Sequence, residues 1–463
     1  MTESIFVKGI FADSRVDYKL LVLLIAIVLL AITITIWNQG ITTKILILMM
    51  AAISIYIVQI NVLQIILTAA LLGVIFPDSY ISIFNYTFGF AIIGAFLLIL
   101  LKVLFQHEHF QYHKQLSILM AIYVLFALNT VISAVFNSSL GGEAIAETAR
   151  NLLYAVLIAV SYHLIRDLIV IRKIFGTVII IAIAVSIYSY KILFGIGLKA
   201  FLVYGITVLH GVFGGMANSG SAAAVITDAM PIPLAYLMFG TNLKKKRLYF
   251  VLFVFFFIIW FLWNSRSNYV FLFFAALSIL AFHDKRKKYF AIILAGLAIS
   301  VILLLTGFIP ILNDILRLER GMTYREDVWQ AALRMYGESP ILGKGPEYFS
   351  AHYFIYLDPG IGRKVISSLY NVSPHNVLLM RAVNLGIGAV LAQLILWIFP
   401  LIVFARNAKK VKNSDYYYLY LASGAIWIGL ICRSLFDTGG NTIGLIMLPI
   451  MFKIPKLIKE TMA

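Results

Sequence analysis

The sequence predicts an all-α polytopic membrane protein. Three observations carry this. The 463 residues are 62% hydrophobic and only 12% charged, about half the charge of an ordinary soluble domain. Mean hydropathy is +0.97. The apolar residues also fall in long unbroken runs rather than alternating, which selects helices over a closed barrel. Such a chain cannot cover its own surface in water, so the lipid bilayer is part of its solvent. A soluble enzyme, a disordered chain and a DNA-binding module are excluded.

A spanning helix needs roughly 20 apolar residues. Runs of that kind occupy 19–37, 42–58, 60–76, 82–105, 115–136, 148–165, 172–194, 217–240, 247–263, 268–282, 288–308, 376–403, 416–433 and 442–456. The count is therefore about 12–14. The pair 42–58 and 60–76 is short enough to form one bent segment instead, which would invert what precedes it. Lys8, Arg15 and Lys19 ahead of the first run resemble a signal peptide. The exit at 35–39 has no small-residue cleavage site, so the segment reads as a retained anchor.

Net charge is +17, and its distribution sets the topology. With the N-terminus in the cytoplasm, the inner loops hold Arg166, Arg172 and Lys173; Lys244, Lys245, Lys246 and Arg247; Lys285, Arg286, Lys287 and Lys288; and Arg406, Lys409, Lys410 and Lys412. The opposite loops at 77–81 and 137–147 contain Asp78, Glu143 and Glu147 and no basic residue. This is the positive-inside pattern, and it places both termini in the cytoplasm. Short basic loops between apolar runs do not describe a nucleic-acid surface, so no nucleic-acid partner is expected. The single cysteine, Cys432, forms no intramolecular disulfide.

The chain then divides into transmembrane residues 1–308, an extracytoplasmic loop 309–375 and transmembrane residues 376–463. The loop balances seven basic against seven acidic residues and is rich in aromatics, so it reads as folded rather than as a solvated tail. Val328, Trp329, Ala332, Leu333 and Met335 predict an amphipathic helix over 321–337. Glu338-Ser339-Pro340 ends it, and Gly343 and Gly345 make a turn.

Polar residues at membrane depth are functional candidates. Arg266 lies at an outer mouth, Arg325 begins the loop helix, and His375 and Asn376 follow Pro374 where the chain re-enters the membrane. Arg381 lies about two turns into that span, and Arg433 near the outer end of the next-to-last one. Each arginine reads either as a structural ion pair or as a ligand contact. Guanidinium forks bind phosphate oxygens bidentately and stay charged when partly desolvated. Several of them around a histidine would suit a lipid-linked pyrophosphate, whose departure needs its developing charge stabilised. His375, with an ordinary pKa near 6.5, can accept a proton from a sugar hydroxyl.

A metal centre is not expected. Glu326 and Asp327 point about 100° apart on a helix, and no Asp-x-Asp occurs. His107, His109 and His113 read as a solvated turn, with zinc as the alternative. Trp329, Tyr348, Phe349, Tyr353 and Tyr356 serve either to stack on sugars or to form the core of the loop.

Read in order, the Ser-Arg at 265–266, the Arg-x3-Trp of Arg325 and Trp329, the Pro-x2-Gly-x-Gly of 340–345, the His-Asn of 375–376 and the Gly-x-Gly of 386–388 resemble the O-antigen ligase and O-antigen polymerase superfamily. The likeness spans roughly 210–400. It implies a C-type glycosyltransferase architecture and transfer of a glycan, with inversion and without metal or cofactor, from undecaprenyl pyrophosphate. It further implies that Arg266 and Arg325 hold the pyrophosphate, that His375 activates the acceptor, and that Asn218 is a structural or donor-contacting residue. Arg381 and Asn384 depart from the pattern, which has an apolar residue and a Glu there; Arg381 reads as an added phosphate contact alongside Arg433. Asn376 and Trp329 complete the candidate donor or acceptor contacts. The implied setting is surface polysaccharide and lipopolysaccharide biosynthesis at the bacterial inner membrane. The acceptor is lipid A-core for a ligase, or a second lipid-linked glycan for a repeat-unit polymerase. A lipid-linked oligosaccharide flippase is the rival from another class; ionisable residues gathered at one face favour an enzyme.

Overall fold

A computed structural model describes residues 114–137, 141–196, 219–263, 266–291, 325–358, 373–436 and 442–462. The runs before residue 114, the histidines at 107–113 and Asn218 lie outside the described residues. Everything regular among the described residues is helical: α1 (Lys114–Phe136), α2 (Gly142–Leu164), α3 (Leu168–Ile196), α4 (Ser219–Ala229), α5 (Pro231–Phe239), α6 (Leu243–Trp263), α7 (Arg266–Ala281), α8 (Arg325–Glu338), α9 (Tyr348–His352), α10 (Val377–Val411), α11 (Tyr417–Ser434) and α12 (Thr442–Met462), with a 3₁₀ turn at Tyr353–Tyr356. Segments Lys114–Phe136, Leu168–Ile187 and Val377–Val411 are long and apolar enough to cross a bilayer. The protein is an all-α polytopic membrane protein.

Helices with apolar residues on every side belong in lipid or in a core, and α1 shows how its two faces divide. Leu119, Ile122, Phe126, Thr130 and Ser133 are buried at three- and four-residue spacing. Leu125, Leu128 and Val135 are exposed, on the face left to lipid. Small and hydroxylated residues, not greater hydrophobicity, mark the packed face, as expected where lipid competes equally for apolar side chains.

α1 packs along α2, and α7 along α11; α5 and α12 also lie against α11, and α10 leans on α1, α11 and α12. One continuous apolar core joins α1 to α7 and α10 to α12. The expected single run at 217–240 divides into α4 and α5. Pro231 occupies the first position of α5, where its missing N–H costs least.

The loop has a core of its own. Val328, Ala331, Ala332 and Met335 of α8 pack on Phe349, Tyr353, Leu357 and, from α10, Val383. The expected helix at 321–337 is found at 325–338, but its buried stripe includes Ala331 while Leu333 faces outward. The aromatics Phe349 and Tyr353 are therefore loop core. Glu338 accepts from Lys344 Nζ at 2.5 Å and from the Tyr356 hydroxyl at 2.8 Å. These bonds hold its carboxyl below the usual range. Arg334 closes the far end on Asp358 at 2.8 Å and on the Tyr356 carbonyl at 2.9 Å.

Candidate functional site

The site is organised where the loop meets α10. Asn376 caps this helix, its Oδ1 accepting from Leu379 N at 3.1 Å, as its residue type favours. His375 precedes the cap in a left-handed conformation, φ 47°, which costs a non-glycine residue about 1–3 kcal/mol unless its surroundings impose it. Two contacts impose it. Trp329 Nε1 donates to the Pro374 carbonyl at 2.6 Å, and His375 N donates to Ser373 Oγ at 3.3 Å. The Trp329 indole N–H is thus committed to orienting the junction.

Further along α10 the helix is broken. Gly386 has φ 76° and ψ −171°, and the 340–345 turn inserts against the break. Lys344 N donates to Val383 O at 2.7 Å, Gly345 N to Asn384 O at 3.0 Å, and Ile387 N to Pro340 O at 2.9 Å. The same stretch is served from α1: Asn129 Nδ2 donates to Leu385 O at 2.7 Å, and Ser133 Oγ shares Asn384 O at 3.0 Å. Asn137 Nδ2 reaches Gly343 O at 3.1 Å. Backbone groups released at membrane depth need such partners. Both glycine motifs follow from this interlock. A Cβ on Gly386 would strike the Ile341 carbonyl, and one on Gly343 would fall 2.5 Å from the Asn384 backbone. Asn384 adds a side-chain bond, its Oδ1 accepting from Phe349 N at 3.2 Å.

The four candidate arginines fall into two pairs. Arg266 and Arg325 are the first described residues of α7 and α8 and are half-buried. Arg381 and Arg433 are seen with their counter-ions. Arg381 Nη1 lies 2.6 Å from Glu147 Oε1, with Arg150 3.3 Å from the other oxygen. Arg433 is buried, 3.0 Å from Asp228 and 3.2 Å from Asn268 Oδ1, with its guanidinium over Phe271. Since Asn268 is only two residues from Arg266, the Arg433 pair anchors the part of α7 that carries Arg266. Asn218 cannot be placed, lying outside the described residues.

Beside the His375–Asn376 junction, a cavity of about 190 Å³ opens between α1, α2 and α10 and is lined in part by Pro346 and Glu347. Sequence reading missed Glu347, Glu147, Asp228 and Asn129 as parts of this region. Asp228, an acid inside an apolar run, carried a usable signal, because such a residue normally has a partner. Glu147 was placed in a loop, whereas α2 begins at Gly142.

The fold and site together define an integral membrane protein with a folded loop locked onto one helix. Residues 251–394 match the protein family described as O-antigen ligase. This match supports the O-antigen ligase and polymerase superfamily and a glycan-transfer role of ligase or polymerase type. The match contains Arg266, Arg325, His375 and the α10 break; Glu147, Asp228 and Arg433 lie outside it. No curated protein matches the chain.

Proposed function

We propose that the protein is a membrane glycosyltransferase that moves a glycan from undecaprenyl pyrophosphate to an acceptor hydroxyl at the outer face of the bacterial cytoplasmic membrane. The observation that carries this reading is that Arg266 and Arg325 fall in the same matched region as a histidine held at a capped, conformationally strained junction. In this reading the two guanidinium groups hold the diphosphate, and Arg381 and Arg433, each paired with a carboxylate, fix the helices around it. His375 takes the proton of the acceptor hydroxyl as its oxygen attacks the anomeric carbon. The bond from that carbon to the phosphate oxygen breaks, undecaprenyl pyrophosphate leaves, and the anomeric configuration inverts. Two arginines stabilise the leaving diphosphate without a metal, which is the reason to expect metal independence.

A lipid-linked acceptor makes the protein a polymerase; lipid A-core makes it a ligase, the reading we favour. Purified protein in nanodiscs, supplied with an undecaprenyl-pyrophosphate sugar and each acceptor, tests both. Wild type should form a glycosidic product, and His375→Ala should lower the rate about 10²–10⁴-fold, the usual contribution of a positioned proton acceptor. Donor consumption that continues unchanged in His375→Ala, or movement of intact donor across the bilayer without a new bond, overturns the assignment in favour of another mechanism or a flippase. Activity should also survive EDTA; loss restored by Mg²⁺ or Mn²⁺ would refute metal independence.

A further inference from the structure

The cavity beside His375 is a different feature from Arg266 and Arg325, and its lining has a chemistry of its own. On α10 it is bounded by Val377, Met380, Arg381 and Asn384, a three- and four-residue stripe that starts directly after the Asn376 cap. Across from this stripe stand Glu147, Arg150 and Tyr154 of α2, and Trp397 and Trp427 line another part of the wall. The turn at Pro346–Glu347 also lines it.

Three features indicate a ligand. Glu347 is the other non-glycine residue with positive φ among the described residues, at 58°. Its side chain makes no helix cap, one oxygen accepting from the Ser350 hydroxyl at 3.4 Å, and strain of this kind collects where function holds it. Arg381 Nε is buried and has no hydrogen-bond partner among the described residues; a buried donor left so costs about 1–3 kcal/mol unless something else accepts from it. The charges also balance, two arginines against two glutamates, around aromatic side chains. A net-neutral lining with fixed donors, acceptors and ring faces suits an uncharged polyhydroxylated ring. About 190 Å³ is below the roughly 300–1,000 Å³ of pockets for drug-sized molecules, which limits the occupant to about one sugar.

We infer that this cavity is the acceptor's saccharide subsite, holding one uncharged sugar ring with Glu347, Arg150 and Arg381 reading its hydroxyls and Tyr154 against its face. The inference deepens the glycan-transfer reading and rests on it for the word acceptor. Glu347→Gly is the informative variant: glycine adopts φ 58° freely, so the carboxylate is removed without disturbing the turn.

The test has two readouts. In nanodiscs, methyl glycosides of neutral hexoses should quench tryptophan fluorescence saturably through Trp397 and Trp427. Glu347→Gly and Tyr154→Leu should each weaken that binding about tenfold, the worth of one charge-assisted hydrogen bond or ring contact. In the transfer assay, Glu347→Gly should raise KM for the acceptor about tenfold and leave KM for the lipid-linked donor unchanged. Unaltered acceptor KM and glycoside binding in both variants, a shift in donor KM instead, or tighter binding of methyl glycosides of hexuronic acids overturns the subsite. Wild type that binds neutral glycosides but transfers nothing from the donor leaves the subsite standing and removes the glycosyltransferase reading; wild type that transfers but binds no glycoside does the reverse.

Discussion

At the scale of single residues, geometry rather than charge separates the candidates. Arg266 and Arg325 both lie in the matched region, and a planar fork is what a diphosphate needs. Arg266→Lys keeps the charge and loses the fork. The variant should fold normally and transfer glycan at least about tenfold more slowly; full activity would mean that net charge alone suffices. Gly386 makes the opposite kind of claim, about space. Gly386→Ala places a methyl against the Ile341 carbonyl at a φ that alanine rarely adopts. Its cost should exceed the roughly 1–3 kcal/mol of left-handed strain alone. A thermal midpoint equal to wild type would show that the 340–345 turn does not seat on the break.

The elements explain what the sequence could and could not reveal. Helix α8 was legible to within one residue at its end, its expected start lying outside the described residues, because a 3.6-residue apolar period signals itself locally. Its burial was less so: Leu333 looked equivalent to Val328 until the position of α10 was known. The α10 break was visible only as a Gly-x-Gly, since nothing in residues 386–388 announces that a turn more than forty residues earlier will pair with them. Asn129 and Ser133 were invisible for the same reason, being polar residues in an apolar helix whose carbonyl partners are more than 250 positions away. Asn129→Ala should therefore cost about 1–3 kcal/mol, the price of leaving a buried carbonyl unpaired, measured by denaturation in detergent; no loss would show that the carbonyl finds water. The loop also carries a pH dependence. Lys344 and Tyr356 hold the Glu338 carboxyl below its unfolded value, so its contribution is complete above the unfolded pKa and disappears as pH falls through the lower folded one. Hydrogen-exchange protection of α8 should be flat above about pH 5 and fall below about pH 4. In Glu338→Gln that fall should vanish; the same fall there would assign it to another group.

Across the whole molecule, ion pairs join segments far apart in the chain at either end of the helices. Asp284 meets Lys412 at 3.0 Å between two basic loops, while Arg381–Glu147 and Arg433–Asp228 tie together the helices around the candidate site. Which end faces the cytoplasm rests on the charge count of the loops. Arg433→Met should cost about 3–5 kcal/mol by stranding a buried Asp228, whereas replacing both partners by apolar residues should recover most of it. The central claim is that two guanidinium groups and one imidazole, contributed by three separate stretches of the chain, gather around one lipid diphosphate. A cryo-EM structure with undecaprenyl pyrophosphate bound tests it most directly. Arg266 and Arg325 should both contact diphosphate oxygens, with His375 facing the anomeric side from outside the cell. Diphosphate density elsewhere, or His375 opening toward the cytoplasm, would contradict it.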